Sequence, residues 1–566
     1  MENESKTPWW LKAIQTGLIG GAVAILVSLI GMVESFHERD IIAGRITMGE
    51  SLLLLIVGYF AYSASRGDEQ TTVSVRVSTG AVTGLVTSAM VAGLVLLGSA
   101  VNLRKVLVNA SPALYKILTF EIENTNAAFG FLLTAGLVIG LAFALVHLIP
   151  VLWRRTITAG VLAVLLIAIL QDLIRITLTP FKGVTEAISW MFGSKGQEGL
   201  SVNGAIVVFL LVAAVNYFSS TRGHVVRQQV NALPVGTQKI LRWVSWGLLA
   251  AFLLIWPRIA GSVLSDVTNS VGIYILMGLG LNIVVGYAGL LDLGYVAFYA
   301  LGGFILAVLT TTGGEIFFDF RWTFWEALPF AILGAVLAGV ILGIPVLKIR
   351  GDYLAIITLG FGEIIRIMFL SDFLKPYFGG SFGIVLIDTP SIGSTHLNTP
   401  QTLYYVILAA CLFALFIANR LRDSRIGRAW KAIREDEDVA QAMGINLTTT
   451  KLLAFATGAG FGGLSGAIFA AKLSTVYPHS FVLLVSINVL ALIIVGGMGS
   501  LPGVIVGALL LVGLPELLRE FNEFRVLIFG AVLIVMMLNK PEGFLPEAVH
   551  KREFHEDDNL SPAAAE

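Results

Sequence analysis

The segment Asn419–Leu452, NRLRDSRIGRAWKAIREDEDVAQAMGINLTTTKL, is the longest charged stretch between two apolar runs of the chain. It must therefore lie in water. Its first half concentrates basic side chains that only Asp423 opposes: Arg420, Arg422, Arg425, Arg428, Lys431 and Arg434. Because Lys and Arg are enriched on the cytoplasmic side of membrane spans, this segment predicts the orientation of the spans around it.

The same segment carries an apolar stripe at helical spacing, made by Ile426, Trp430, Ile433, Ala440 and Met443. The acidic run 435–438 interrupts the stripe, and Gly444 suits a helix end, so the pattern predicts helix, turn and helix. Two interpretations are open, a solvated charged loop and a docking element for a cytoplasmic partner. The stripe favours docking, with Ala440 and Met443 as anchors.

Composition places the chain in a membrane. Of its 566 residues, 56% are hydrophobic and 13% charged, whereas soluble proteins have roughly 25% charged residues. Crossing a ~30 Å hydrocarbon core takes about 20 helical residues. The sequence therefore predicts an all-α, polytopic membrane helical bundle with about 14–16 membrane segments. The predicted segments are 13–33, 48–65, 79–103, 128–152, 156–177, 202–219, 241–261, 267–287, 291–311, 327–347, 352–371, 401–418, 450–472, 485–498, 502–516 and 524–539.

Alternation of sides outward from residues 419–452 predicts that both termini are cytoplasmic. The last three segments are short, so we expect some of them to be re-entrant or broken. A basic stretch at 221–237 divides the chain by composition, with polar and glycine-rich apolar runs after it. We therefore predict a membrane extension over 1–240, a functional core over 241–546 and a cytoplasmic tail over 547–566.

Several polar or glycine residues inside apolar runs are candidates for a substrate pathway: Asn282, Gly286, Asp292, Glu363 and Arg366. Glu363 and Arg366 are spaced i, i+3, so they can neutralise each other on one helix face. A structural pair and a pathway-lining pair are both open. A glycine-rich break between Asn282 and Asp292 can expose half-helix ends to a charged group, although Asp292 also fits a short cytoplasmic turn.

Glycines at four-residue spacing predict close helix packing rather than chemistry. They are Gly458, Gly462, Gly466, Gly503 and Gly507. The zero net charge gives no reason to expect a nucleic-acid partner, the single Cys411 offers no redox or metal motif, and the sequence has no Walker-type GxxxxGK[ST]. We therefore expect neither a metal nor a cofactor in this chain, and no enzymatic activity of its own; any ATP is bound by another subunit.

The second part resembles the LivM-type permease subunits of branched-chain amino acid ABC importers. The resemblance rests on several motifs in order, among them GLGLNIVVGYAGLLDLGYVAFYALGGF (278–304), GRAWKAIREDEDVAQAMGIN (427–446) and VLALIIVGGMGSLPGVIVGALLL (489–511). It implies a bacterial or archaeal inner-membrane subunit with a LivH-like permease, two ATP-binding cassette subunits similar to LivG and LivF, and a periplasmic or lipid-anchored binding protein as partners.

The resemblance also implies a role for the charged segment. Permeases of this kind dock their ATPases through an EAAxxxG loop, and Asp438–Gly444, DVAQAMG, is similar to it, with Asp for Glu and Val for the first Ala. The residues expected in this coupling loop are Arg428, Ala432, Asp438, Ala440, Met443 and Gly444.

Three functions remain open at this point. The first is an importer permease for branched-chain or related amino acids that works by alternating access, driven by ATP on other subunits. The second is a permease for urea or short amides. The third is an ion-coupled secondary transporter or channel, with Glu363 and Arg366 as a relay. For residues 1–240 we expect packing around the core, or binding of a lipid or an accessory protein.

Overall fold

The computed structural model describes residues 8–66, 72–122, 124–178, 183, 189–193, 199–232, 234–313, 320–346, 352–393, 395–518 and 524–546. Helices dominate these residues, and the described strands form three two-stranded ribbons. The all-α class and the polytopic helical bundle are therefore confirmed. The predicted tail over 547–566 lies outside the described residues.

The chain divides into two compact units, Met1–Gly247 and Leu248–Glu566. The helices up to residue 232 are α1 Trp9–Leu29, α2 Met32–His37, α3 Met48–Ala64, α4 Val73–Ala100, α5 Pro112–Leu118, α6 Thr125–Leu145, α7 Val151–Ile169, α8 Gln171–Leu178 and α9 Val202–Ala232. The strands β1 Asp40–Ile42 and β2 Ile46–Thr47 pair in this part.

Later in the chain follow α10 Val235–Leu281, α11 Val296–Thr310, α12 Phe324–Val346, α13 Asp352–Leu370, α14 Lys375–Phe378, α15 Pro400–Arg422, α16 Arg425–Glu435, α17 Glu437–Ala442, α18 Leu447–Leu473, α19 Leu483–Gly496, α20 Leu501–Ala508, α21 Leu514–Leu517 and α22 Arg525–Asn539. Short ribbons join β3 Ile384–Val385 with β6 Thr475–Val476, and β4 Ser391–Ile392 with β5 Thr395–His396.

Among the described residues, 11 helices are long and apolar enough to cross a membrane, and three shorter apolar helices accompany them. Together they fall within the predicted range of about 14–16 segments, since a span needs about 20 residues and fewer where helices are broken. One predicted span starts too early: residues 291–311 correspond to α11, which begins only at Val296. The reason is a turn at Asp292, described below.

Several apolar runs are interrupted rather than continuous. Gly261 breaks α10 with φ 68° and ψ −167°, which only glycine adopts readily. A π-helical turn, Asn282–Tyr287, follows α10, and a second one, Leu509–Gly513, follows α20. Between α19 and α20 the backbone turns at Gly497 and Gly499, with φ of 114° and 80°. The prediction that some of the last three segments are re-entrant or broken agrees with the turn at Gly497 and Gly499 and with the π-helical turn Leu509–Gly513.

Each unit has its own buried centre. In the first unit, α4 packs against α1, and the buried Thr83 and Thr87 donate hydrogen bonds to the carbonyl oxygens of Ala13 and Gly17. In the second unit, α18 packs against α11 and α12, and most of its residues are buried. Polar groups are costly in hydrocarbon, so the bonds from Thr83 and Thr87 satisfy hydroxyls that lipid would leave unpaired.

Candidate functional site

The predicted helix–turn–helix is present as α16 and α17, and we call residues 425–444 the charged hairpin. Ser424 caps α16 by accepting a hydrogen bond from Gly427 N, and Asp436 caps α17 through Asp438 N and Val439 N. Each cap satisfies amide groups that the first helical turn leaves free. After α17 the chain turns at Gly444, whose φ is 88°. This conformation is the reason a glycine stands there.

The charged hairpin is fixed to its own chain by two contacts with α18. Trp430 is fully buried, and its indole Nε1 donates a hydrogen bond to Thr450 O at 2.8 Å. The ammonium group of Lys451 lies 2.6 Å from a carboxylate oxygen of Glu437, and the Lys451 side chain is only 4% exposed. A buried ion pair holds its elements in one register, since separating it leaves a charge unpaired in low dielectric.

This packing corrects one expectation about docking. Ala440 was predicted as an anchor for a partner, but it is 3% exposed within its own chain. The side of α17 that carries Ala440 is covered because α17 packs on α16 and α18. Met443 is 79% exposed and Val439 58% exposed. The exposed apolar surface at α17 is therefore formed by Val439 and Met443.

The other predicted residues of the charged hairpin lie at its surface or edge. Arg428 is exposed and donates a hydrogen bond to Asp423 O at 3.2 Å. Asp438 is exposed and Ala432 half-buried. A hydrogen bond from Arg422 and the charge of that residue lower the pKa of the exposed Asp423 carboxyl below its usual range. Asp423 therefore stays ionised at neutral pH, where it offsets part of the basic charge beside it.

A second feature, residues 282–295, is the interruption between α10 and α11, and we call it the broken segment. It begins with the π-helical turn. Asn282 is fully buried, and its Oδ1 accepts a hydrogen bond from Gly499 N at 2.9 Å. The side chain thereby joins the broken segment to the glycine turn between α19 and α20. Its Nδ2 has no hydrogen-bond partner among the described residues.

The charged hairpin and the broken segment are in direct contact. The Arg434 guanidinium, at the end of α16, donates a hydrogen bond of 2.6 Å to the carbonyl oxygen of Gly286. Gly289 has φ 70°, and a Cβ there would lie 2.9 Å from Arg434 Cγ, so the chain needs glycine at this point. Lys431 Nζ lies 5.7 Å from the centre of the Tyr287 ring. Two basic residues of one helix therefore hold the broken segment.

Asp292 occupies a turn, as one interpretation of the sequence expected, but it is fully buried instead of solvated. Its Oδ1 accepts a hydrogen bond from Gly294 N at 2.9 Å. Thr358 Oγ1 accepts from Leu293 N, and Ser486 Oγ accepts from Val296 N. These bonds satisfy amides ahead of α11 and explain why the helix begins after Asp292. The other carboxylate oxygen, Oδ2, has no hydrogen-bond partner in the described part of the chain.

Glu363 and Arg366 form the pair that their spacing predicted. One Arg366 nitrogen lies 2.8 Å and another 2.9 Å from Glu363 Oε2. The two side chains are 33% and 25% exposed, and the neighbouring Ile364 and Ile367 are each 58% exposed. The structure therefore places this pair on a partly open face of α13. Asn282, Gly286 and Asp292 are instead grouped in the broken segment.

The predicted packing glycines lie where backbones approach each other. On α18, a Cβ at Gly458 would meet Val284, one at Gly462 would meet Phe298, and one at Gly466 would overlap Tyr299 O. On α20, a Cβ at Gly503 or Gly507 would meet backbone oxygen atoms of α19, those of Gly496 and Leu492. Backbone atoms cannot move aside as flexible side chains can, so a larger residue at Gly466, Gly503 or Gly507 would push these helices apart.

Sequence reasoning missed the residues that join the two features. Arg434 was counted only as part of the basic run, and Lys451, Thr358 and Ser486 were not singled out. For Lys451 a signal existed, since a lysine at the start of an apolar run is costly unless it is paired. Arg434 and Gly286 are 148 residues apart in sequence, so no local pattern links them. Within the described residues, no three His, Cys, Asp or Glu side chains are grouped as metal ligands would be.

A bundle of apolar helices with glycine-mediated packing, interrupted spans and a charged hairpin fixed to one interruption is typical of a polytopic membrane transport protein. Comparison with known proteins agrees. Residues 263–537 match the family model described as "Branched-chain amino acid transport system / permease component". No solved structure matches the chain.

The curated relatives make the family plain. The chain is 40% identical over 324 residues to the high-affinity branched-chain amino acid transport system permease protein LivM of Salmonella typhimurium, covering 53% of this chain and 74% of that protein. It is 40% identical over 321 residues to LivM of Escherichia coli, covering 53% and 73%. To the permease protein LivH of Salmonella typhimurium it is 25% identical over 296 residues, covering 48% and 91%. The chain belongs to the LivM family of branched-chain amino acid transport permeases.

Proposed function

We propose that the protein is the membrane-spanning subunit of an ABC importer for branched-chain amino acids. In this proposal it works with a LivH-like permease, two ATP-binding subunits and a binding protein that delivers the substrate. The relatives that support the substrate class are transport permeases named for branched-chain amino acids. No observation favours urea, short amides or ion-coupled transport over this substrate class.

The observation that carries the mechanism is the 2.6 Å hydrogen bond from Arg434 to Gly286 O. Carbonyl groups at a helix interruption lack some of their usual intrahelical partners. A guanidinium can therefore hold such a carbonyl strongly, because hydrogen bonds from a charged donor are stronger than neutral ones. Displacement of the charged hairpin by an ATPase would pull directly on the broken segment.

The broken segment in turn reaches two other elements. Asn282 connects it to the turn between α19 and α20, and Leu293 N connects it to Thr358 of α13. We infer that movement of the charged hairpin reorients these three places together. Transporters that expose their substrate alternately to each side typically have such interrupted helices near the pathway. Asn282 and Asp292 are then the candidates for polar groups that the pathway uses.

The test is replacement of Arg434 by Gln in vesicles that contain the full set of transporter subunits. We expect at least a tenfold loss of ATP-driven leucine uptake, because removing a charged hydrogen bond of about 1.5–3 kcal/mol uncouples the two features. The ATPase subunits should still co-purify, since Arg434 is directed toward its own chain. Retention of uptake by Arg434→Gln would refute this coupling route.

Arg420→Gln is the matched control, because it removes the same charge from an exposed site before the charged hairpin. It should leave both uptake and co-purification close to those of the unmodified protein. Labelled urea and leucine are compared in the same vesicles, with and without ATP. Uptake of urea alone, or leucine uptake that needs no ATP, would contradict the proposed function.

A further inference from the structure

A cavity of about 510 Å³ lies in the first unit, between α3, the end of α6 and α7. Its walls are mostly apolar, with Leu55, Phe143, Val161 and Leu162 among the residues that line it. One end is bordered by Tyr62, whose ring stacks on His147 with the ring centres 4.1 Å apart. The cavity is a groove rather than an enclosed void, since Leu162 is 58% exposed.

Arg154 and Arg155 also line this cavity. Both lie within the first five residues of α7, and neither guanidinium has a hydrogen bond or an ion pair among the described residues. Two adjacent positive charges repel each other, and both are repelled by the positive end of the helix dipole beside them. The residue before α7 is Pro150, whose side chain forms no capping hydrogen bond. This end of the cavity is therefore complementary to an anion.

The arginines also lie at the boundary of the hydrocarbon core. The candidate span 126–148 ends just before them, and the next, Val151–Ile169, begins with them. Trp153 stands beside them and is 52% exposed, as is typical of tryptophan at the membrane interface. From this boundary the apolar walls run along α7 as far as Leu165. The groove is therefore positively charged at the level of the lipid headgroups and apolar along the rest of its length.

We propose that this groove binds an anionic phospholipid, with its phosphate between Arg154 and Arg155 and an acyl chain against the apolar wall of α7. The positive charge of the two arginines excludes a neutral hydrocarbon as the preferred ligand. The length of the apolar wall excludes a small inorganic anion. Basic pockets between membrane helices on the cytoplasmic side have this preference. The proposal does not depend on what the permease transports.

The test uses the full-length protein in nanodiscs that contain phosphatidylcholine and a phosphatidylglycerol with a photoreactive acyl chain. We expect cross-links within residues 143–165, competed by unlabelled phosphatidylglycerol and hardly by phosphatidylcholine or inorganic phosphate. Arg154→Gln combined with Arg155→Gln should lower the cross-linked yield roughly tenfold to thirtyfold, from about 1 kcal/mol for each basic residue at the surface. Equal competition by phosphatidylcholine, or competition by inorganic phosphate, would overturn the proposal.

Two further variants keep the result interpretable. Arg104→Gln with Lys105→Gln removes the same charge from exposed residues that do not line the cavity, and it should leave the yield unchanged. An equal loss in this control would overturn the proposal by showing general surface attraction. Leu162→Trp keeps both arginines but fills the groove, and it should lower the yield severalfold. If the arginine variant fails to fold, this second variant decides, and an undiminished yield with Leu162→Trp contradicts the proposal.

Discussion

Glu363 and Arg366 show what spacing alone can predict. Two opposite charges at i, i+3 on a membrane helix favour a pair, and the structure forms it through two nitrogens of Arg366. The sequence could not show which way the pair faces. That depends on how α13 packs, and its partly exposed position between Ile364 and Ile367 follows from tertiary contacts. Since an unpaired charge is disfavoured in hydrocarbon, each partner needs the other.

Replacement of Glu363 by Gln should destabilise the folded protein by about 1–2 kcal/mol, less than for a fully buried pair because both side chains are partly exposed. Adding Arg366→Met should restore stability, since no unpaired charge remains. Thermal unfolding in detergent measures both variants, and leucine uptake measures their function. If the double variant is stable but does not take up leucine, the pair belongs to the substrate pathway. Unchanged stability of Glu363→Gln alone would show that the pair contributes little.

At the scale of an element, the sequence predicted the two helices of the charged hairpin but not which side of each helix is buried. The spacing of Trp430 and Ile433 predicted an apolar stripe on one continuous helix, and the structure buries both side chains within the chain. Ala440 was assigned to the wrong surface, since the turn between α16 and α17 resets the helical phase. The pair of Glu437 and Lys451 then turns that side of α17 toward α18. Such a rotation depends on a contact outside both helices.

Gly444→Val should weaken docking of the ATPases. With φ of 88° and no heavy atom within 4 Å of a Cβ, the penalty at Gly444 is backbone strain alone, about 1–2 kcal/mol. Gly444→Asn is the matched control, because Asn accepts this conformation more readily. We expect co-purification of the ATPases to fall severalfold for Val and little for Asn. Equal retention of the ATPases by both variants would mean that the turn does not position the docking surface.

Over the whole molecule, the sequence predicted the positions at which apolar runs are interrupted. It did not predict which residues these interruptions contact in the folded chain. Glycine and polar residues indicated a break between Asn282 and Asp292, and the shortness of the last three segments indicated breaks near the C-terminal end. The contacts among them, such as Asn282 with Gly499, join residues 217 positions apart. Only the tertiary structure can bring such residues together. The division of the chain at 240 was a prediction from composition, and the compact units of the structure divide after Gly247.

The predicted orientation can be tested by single-cysteine labelling, because the native Cys411 is buried. Ala442→Cys places an exposed thiol on the charged hairpin, and Ser381→Cys places one in the exposed loop between α13 and α15. In intact cells a membrane-impermeant thiol reagent should label position 381 and not position 442. Position 442 should become reactive once the inner face is opened. Labelling of position 442 from outside would reverse the predicted orientation.

The glycine contacts between α11 and α18 have a consequence for how the molecule moves. The backbones of Gly302 and Gly463 are in contact. Gly303, the next residue of α11, packs against Gly466, which lies about one turn further along α18. No side chains separate the two helices at these points, so their backbones pack directly against each other. We therefore expect the two helices to move together during transport. The changes of shape that open and close the protein would then take place at interruptions such as the broken segment before α11.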